Sequence, residues 1–199
     1  MIANSQPYMA REDYLEAEKN SLIKHEYIQG EIYAMVGASD AHVTIAGNLF
    51  ALLRNYLRGK GCRVYMADMK ADIEILDIYY YPDVIVTCDP RDREFQYFKR
   101  YPKLIVEVIF PETEGFDRGK KFEDYRHLDT LEEYVLIAQD RISVECFRKN
   151  SEGLWVLYPY SSGQEIYLES LDFRCSITDI YEEVEFQVTT ESDRNWVSL

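Results

Sequence analysis

The segment from Leu104 to Phe110 (LIVEVIF) is a run of apolar residues interrupted by a single acid, Glu107. A short apolar run of this kind is typical of a strand buried at the centre of a sheet. Because an unpaired carboxylate is costly to bury, Glu107 needs a metal ion, a cation or hydrogen-bond donors as its partner. The alternative is a strand end at which Glu107 reaches solvent or a structural arginine. The run predicts a buried strand that carries a candidate functional acid.

The periodicity of the remaining sequence predicts helices and strands that alternate along one domain, residues 1–199. Helices are expected at 10–20, 41–58, 116–128 and 176–184. Strands are expected at 27–36 (a pair), 62–65, 71–76, 83–88, 104–109, 133–149 (a hairpin turning at 139–141) and 154–158. This order predicts an α/β fold with a mixed β-sheet flanked by helices.

The composition excludes several classes of protein. Hydrophobic residues make up 47% of the chain, which is enough for a core and excludes global disorder. No apolar stretch is long enough to span a membrane, and the N-terminal residues lack the pattern of a secretory signal. The four cysteines form no CxxC pair, which argues against a zinc site and a disulfide framework but leaves a single bridge open. We expect a reduced, cytoplasmic protein.

The charge balance bears on the choice of partner. The chain has 22 basic and 36 acidic residues and a formal net charge of −14. Since phosphate neutralisation supplies most non-specific affinity for nucleic acid, a binder this acidic must confine its positive charge to one face or use metal ions. The loop between the strands predicted at 83–88 and 104–109 is our candidate for contacting a phosphate backbone. Its basic residues are Arg91, Arg93, Lys99, Arg100 and Lys103.

Asp83 follows Pro82 at the start of an apolar strand. Strand alternation places Asp83 on the same face as Ile85 and Thr87. If Glu107 lies on a neighbouring strand, the two carboxylates form a hard oxygen site suited to Mg²⁺ or Mn²⁺. The alternative is that Asp83 is a turn or cap residue.

The helix predicted at 116–128 carries two adjacent lysines that its geometry separates. On a helical wheel, Lys121 falls between the apolar residues Tyr125 and Leu128, whereas Lys120 points towards solvent. Lys121 can therefore reach the site of Glu107. The alternative is a lysine that extends along the edge of the apolar stripe to solvent.

These residues resemble a known arrangement. The order Pro82-Asp83, a strand, Glu107 and a helical lysine resembles the PD-(D/E)xK nuclease superfamily. Almost the whole chain resembles the Uma-two family of restriction-endonuclease-like proteins. The segments that carry this second resemblance are 25–27, 30–35, Ser39, His42, 81–84, 102–108, 117–119, 121–122, 125–126 and 131–136.

The resemblance implies a restriction-endonuclease-like core with an N-terminal helix and hairpin and a C-terminal hairpin added to it. It implies that Asp83, Glu107 and the carbonyl of Val108 hold the divalent metal. The superfamily's lysine usually stands two residues after the acid, where this chain has Ile109, so Lys121 on the following helix would take its role. The family's Ser-Pro-Ser-Thr stretch after the glutamate strand is replaced here by residues 110–113, Phe-Pro-Glu-Thr.

The function implied is that of a Mg²⁺-dependent endonuclease with Asp83, Glu107 and Lys121 as catalytic residues. DNA is the favoured substrate and RNA the alternative, and a homodimer would supply the two sites that duplex cleavage needs. Two other readings stay open. One is an inactive binding or assembly module in which Glu107 and Lys121 form a structural ion pair. The other is a hydrolase of a smaller phosphoester, which suits the acidic charge better.

Three accessory candidates remain. His42 lies in register with the apolar face of the helix at 41–58 and could contact a phosphate or a metal-bound water, although local hydrogen bonding is the simpler reading. Glu31 could extend the acidic cluster, but is more often a surface residue of a hairpin. Asp72, which shares a strand face with Glu74, is a weaker candidate for this cluster than Glu31.

Overall fold

The structure, a computed structural model, describes residues 8–186. Its helices are α1 (Arg11–Glu18), α2 (Asp40–Tyr56), α3 (Glu114–Phe116), a π-helix (Asp117–Lys121), α4 (Phe122–Tyr125) and α5 (Ile177–Ile180). The strands are β1 (His25–Ile28), β2 (Glu31–Ala34), β3 (Arg63–Met66), β4 (Lys70–Ile73), β5 (Ile78–Tyr80), β6 (Val84–Thr87), β7 (Phe98–Lys99), β8 (Leu104–Ile109), β9 (Glu133–Ala138), β10 (Ser143–Lys149), β11 (Trp155–Ser161), β12 (Glu165–Leu168) and β13 (Phe173–Ser176). The prediction of one domain over 1–199 includes residues outside the described range and stays a prediction.

A six-stranded mixed sheet forms the centre of the molecule, in the order β11-β10-β9-β8-β6-β3. The strands β8 and β9 are parallel, and the other neighbours in this sheet are antiparallel. A second sheet has the order β2-β1-β5-β4-β7, and β12 pairs with β13 in a C-terminal hairpin. The predicted α/β fold with a mixed sheet and added hairpins is confirmed.

The two faces of the central sheet have separate cores. On one face, Leu49 and Leu53 of α2 pack in a cluster with Val84 and Val106. On the other face, Ile105 of β8 belongs to a cluster that contains aromatic side chains of β5, α4 and β9. Because side chains alternate along a strand, Glu107 points to this second face, between the central sheet and α4. It is 4% exposed, which confirms the predicted burial.

Three predicted elements differ from the structure. The helix expected at 116–128 begins at Glu114 and ends at Tyr125, and a π-helix interrupts it. The strand expected at 71–76 ends at Ile73, where a 3₁₀ turn (Glu74–Leu76) leads into β5 through Asp77 in the left-handed conformation. The closing helix expected at 176–184 is the single turn α5. Periodicity predicts the type of such elements better than their ends, because turn geometry decides the ends.

Cys62 and Cys88 form a disulfide bond, so the expectation of fully reduced cysteines is wrong for this pair. The reason is the register of β3 and β6, in which Arg63 lies opposite Thr87. This register places the residues that flank the paired strands next to each other. Cys146 and Cys175 are free and buried. Within residues 8–186, no helix combines the length and the apolar character that crossing a bilayer requires.

The disulfide closes a segment with a sequence separation of 26 residues. Loop-closure entropy predicts that reduction lowers the free energy of unfolding by about 3 to 4 kcal/mol. Urea denaturation with and without reductant measures this difference, and Cys62→Ser should lose its response to the reductant. Four alkylatable thiols in the unfolded, unreduced protein would contradict the bond.

Candidate active site

The Glu107 carboxylate is held by donors from the segment Lys121–Tyr125. Its Oε1 accepts hydrogen bonds from the Tyr125 hydroxyl at 2.9 Å and from Lys121 Nζ at 3.3 Å. The buried acid therefore has the cation and the hydrogen-bond donor that its burial requires. The predicted meeting of Glu107 and Lys121 is found in the structure.

The Lys121 ammonium lies among three carboxylates. Its Nζ is 3.1 Å from Glu26 Oε1, 3.3 Å from Glu107 Oε1 and 3.5 Å from Asp117 Oδ1. The Lys121 side chain is 9% exposed, whereas that of Lys120 is 53% exposed and pairs with Asp124. The predicted separation of the two lysines is confirmed, and the ammonium bridges β1, β8 and the π-helix.

Asp83 lies directly before β6, and both of its carboxylate oxygens have partners. Oδ2 accepts a hydrogen bond from the backbone N–H of Val108 at 2.7 Å, and Oδ1 lies 2.8 Å from His42 Nε2. Because Val108 follows Glu107 in β8, this hydrogen bond brings Asp83 to the strand that carries Glu107. The structure thus assembles Asp83, Glu107 and Lys121 in one place. The contact of Val108 is made by its amide, and the role of its carbonyl as a metal ligand stays a prediction.

His42 connects α2 to Asp83. Ser39 caps the helix by accepting a hydrogen bond from the His42 amide, and the imidazole stacks on Phe110 at a centroid distance of 4.8 Å. The Nδ1 atom of His42 is buried and has no hydrogen-bond partner in the described chain. Local hydrogen bonding therefore satisfies only one of the two ring nitrogens, through Asp83.

The site has more negative than positive charge. Burial raises the pKa of Glu107 well above its usual range, and the carboxylates of Asp83, Asp117 and Glu26 raise it further against the opposing effect of Lys121. Burial likewise raises the pKa of Asp117. Burial alone would lower the pKa of Lys121, but the surrounding carboxylates outweigh it and raise that pKa. Lys121 therefore stays charged, and the site contains this one ammonium and four acids, Glu26, Asp83, Glu107 and Asp117.

This donor set fits a divalent cation. Carboxylate oxygens are hard ligands of the kind that Mg²⁺ and Mn²⁺ prefer, and an added positive charge would relieve the repulsion that raises the pKa of Glu107. Within residues 8–186, no group of three or more His, Cys, Asp or Glu side chains is arranged to hold a metal ion. An ion at Asp83 and Glu107 would therefore complete its coordination with backbone oxygen or water.

Residues 11–179 match the sequence model of the Uma2 family, whose description is "Putative restriction endonuclease". The chain belongs to the Uma2 family. An uncharacterized protein of Synechocystis is 38% identical over 190 residues, which cover 94% of this chain and all of that protein. A second uncharacterized Synechocystis protein is 33% identical over 159 residues, covering 79% of this chain and 90% of its own.

A solved structure has the same fold. It is a crystal structure of "a putative nuclease belonging to DUF820" from Anabaena variabilis, with a TM-score of 0.68 and 16% sequence identity. The match covers 85% of this chain and 96% of the other. The expected family and the restriction-endonuclease-like fold are confirmed.

The sequence does not predict two acids of the site in this Uma2 protein, Glu26 and Asp117. Asp117 stands four residues before Lys121, a spacing that places two helical side chains on one face and could have indicated it. Glu26 carries no such signal, because its approach depends on β1 pairing with β5 in the second sheet. Glu31, a predicted accessory acid, is exposed and accepts a hydrogen bond from the Tyr33 hydroxyl, so it lies outside the cluster.

Asp72 also lies outside the site. It is fully buried and forms ion pairs with Arg11 and Arg100. Glu74, its neighbour on the predicted strand face, pairs with the same Arg100 at 2.9 Å. Asp72 thus joins α1 to the second sheet through Arg11, and both acids are occupied by structural ion pairs.

The basic loop between β6 and β8 is also largely engaged within the chain. Its partners are Asp89 for Arg91, the backbone carbonyl of Asp92 for Lys99, Asp72 and Glu74 for Arg100, and Glu132 for Lys103. Arg93 is exposed and forms no ion pair with any residue between 8 and 186. The loop therefore offers far less free positive charge than its sequence suggests.

The raised pKa of Glu107 predicts a pH-dependent stability. A group whose pKa is higher in the folded protein than the ordinary 4.5 contributes stability below that value and loses this contribution as the pH rises through the folded-state pKa. Glu107→Gln should therefore become more stable relative to wild type as the pH rises, by at most about 1.4 kcal/mol per pH unit.

Urea denaturation of the metal-free protein between about pH 5 and pH 8 checks this trend. Glu112→Gln, at an exposed position, is the control and should keep a constant difference from wild type. If the difference in free energy of unfolding between Glu107→Gln and wild type also stays constant with pH, the proposed electrostatics of the site are contradicted.

Proposed function

We propose that this Uma2 protein is a metal-dependent endonuclease that hydrolyses phosphodiester bonds, with DNA as its substrate. The observation that supports this most is the convergence of Asp83, Glu107 and the buried Lys121 ammonium in one site with an excess of carboxylates. Membership of a family described as "Putative restriction endonuclease", and a fold shared with a protein described as "a putative nuclease", support the same proposal.

Asp83, Glu107 and the carbonyl of Val108 would hold Mg²⁺ or Mn²⁺. A divalent ion so bound would lower the pKa of a water molecule and stabilise charge on the phosphorus oxygens. Asp83 is prepared for this role because the Val108 amide and His42 fix both carboxylate oxygens. His42 acts as a positioning residue, since it contacts the site only through Asp83.

Lys121 would neutralise charge that develops on the phosphate or orient the attacking water. Fixed cations are an effective means of stabilising such charge, because they need no reorganisation during the reaction. The burial of Lys121 and its contacts with Glu26 and Asp117 fix the ammonium in place. Glu26 and Asp117 are thus positioning residues for the lysine.

A homodimer would bring two such sites to the two strands of a duplex, and we propose this assembly for double-strand cleavage. A second candidate function is a non-catalytic module. Its supporting observation is the Lys121–Glu107 ion pair itself, which is the structural pair that such a module would retain.

Cleavage of supercoiled plasmid with Mg²⁺ or Mn²⁺ at low salt tests the proposal. We expect metal-dependent nicking by the wild type, and a loss of about a hundredfold or more in Asp83→Asn and in Lys121→Met, because each removes a group that acts on the transition state. Glu132→Gln, which lies outside the site, is the control and should cleave like wild type.

The two functions predict different outcomes. Loss of cleavage in both site variants, with native-like thermal unfolding of Asp83→Asn, supports the nuclease. Absence of nicking by the wild type with either metal ion, on plasmid and on single-stranded DNA, would overturn it and favour the module. Retained cleavage in Lys121→Met would remove the lysine from the catalytic set.

A further inference from the structure

One stretch of this acidic chain has the opposite charge. Residues 41–67 contain four basic residues and no Asp or Glu, although the whole chain has 36 acids. The stretch comprises most of α2, the turn after it and β3. Arg54 lies in the last turn of α2, Arg58 lies in the turn that follows the helix and Arg63 begins β3; all three side chains are exposed.

These arginines surround open space. An open cavity of about 450 Å³ is lined by Arg54, Arg58 and Arg63 together with residues of the turn between α2 and β3. A small adjoining cavity shares Arg63 and Tyr65 with it and adds Arg93 from the loop after β6. We call Arg54, Arg58, Arg63 and Arg93 the arginine surface.

The charges of the arginine surface are not used within the described chain. None of its four members forms an ion pair with a residue between 8 and 186, in contrast to arginines such as Arg11, Arg118 and Arg148. Two acids line the smaller cavity. Asp89 pairs with Arg91, and Asp92 is 2% exposed and accepts hydrogen bonds from backbone amides.

A basic residue near a helix C-terminus stabilises the helix dipole, and this accounts for Arg54. It does not account for Arg63 and Arg93, which come from other elements. The Cys62–Cys88 disulfide adds to the arrangement, because it joins the segment of Arg63 to the segment that leads to Arg93. Three separate parts of the chain are thus held together, and their exposed positive charges have no ion-pair partner among residues 8–186.

The position of the arginine surface relative to the active site indicates the size of the ligand. Asp83 precedes β6 and Cys88 follows it, so the two ends of this strand are separated by about 16 Å at the usual rise per residue. The helix α2 spans the same interval, with His42 at the Asp83 end and Arg54 at the other. Its exposed residues between these points are uncharged, Val43 and Ala51 among them.

We infer that the arginine surface binds the phosphate backbone of a nucleic-acid substrate about five base pairs from the bond cleaved at Asp83 and Glu107. A small phosphoester could not reach both places. This inference rests on the proposed function and adds to it the surface that binds the DNA backbone, at the end of α2 far from the active site. It also explains how so acidic a protein binds DNA, because the positive charge is confined to one surface.

The test compares two variants with the same change in charge. Arg58→Gln/Arg63→Gln removes two charges from the arginine surface. The control variant, Arg126→Gln/Lys149→Gln, also removes two positive charges. These two residues form no ion pair in the described chain either, but they do not belong to the arginine surface. Binding of labelled duplex DNA is measured by fluorescence anisotropy with EDTA, which prevents metal-dependent cleavage, over a series of salt concentrations.

We expect the arginine variant to bind at least about tenfold more weakly at low salt, with a slope of log K against log salt that is about two units shallower. The control variant should keep a slope close to that of wild type. Arg58→Lys/Arg63→Lys should restore the slope, and thermal unfolding shows whether each variant is folded. Equal slopes and affinities in the arginine and control variants would overturn the inference.

Hydrolysis of bis(4-nitrophenyl) phosphate separates this inference from the proposed function. The arginine variant should hydrolyse this small diester like wild type while losing plasmid cleavage. If the wild type cleaves neither substrate but the arginine variant alone loses DNA binding, the arginine surface is a phosphate-backbone site, and the nuclease proposal fails together with the distance to a cleaved bond. If the wild type cleaves plasmid and the arginine variant cleaves it equally well, the inference fails and the nuclease proposal stands.

Discussion

The buried Lys121 ammonium connects the two sheets and the π-helix through ion pairs. Glu26 belongs to the second sheet, Glu107 to the central sheet and Asp117 to the π-helix, and all three carboxylates converge on Nζ. Removing the ammonium would leave these carboxylates without their cationic partner, and loss of one partner of a buried ion pair typically costs about 3 to 5 kcal/mol. The contact between Lys121 and Glu26 of the N-terminal hairpin therefore also shapes the candidate active site, so that stability and the proposed activity both depend on this side chain.

The excess of negative charge has a consequence for the metal-free protein. Glu107 and Asp117 have raised pKa values because they are buried and face other acids, so the protein without metal is less stable at neutral pH than its packing alone would make it. A cation that binds only the folded state would recover this stability. The opposite condition holds at the far end of α2, where the arginines have no ion-pair partner within the described part of the chain. One end of α2 therefore lies beside a site suited to a cation, and the other end lies beside a surface suited to a polyanion.

Much of this organisation follows from local sequence. The apolar run around Glu107 predicts β8 with its ends, because a short apolar run of this kind is typical of a buried strand. The helical wheel separates Lys121 from Lys120 for the same local reason. Glu26 could not be found in this way, since its place depends on how the two sheets meet. The sequence also could not show which basic residues form ion pairs within the chain, because pairing depends on the fold. The loop before β8 is rich in basic residues, and the fold pairs or buries most of them.

Titration of the metal-free protein with Mn²⁺ in an isothermal calorimeter, in buffers of different ionisation enthalpy, tests the central claim that this cluster is a cation site. We predict saturable binding that releases protons, because the ion would displace them from acids whose pKa is raised, and loss of this binding in Asp83→Asn/Glu107→Gln. Absence of binding by the wild type, or equal binding by the double variant, would contradict the claim.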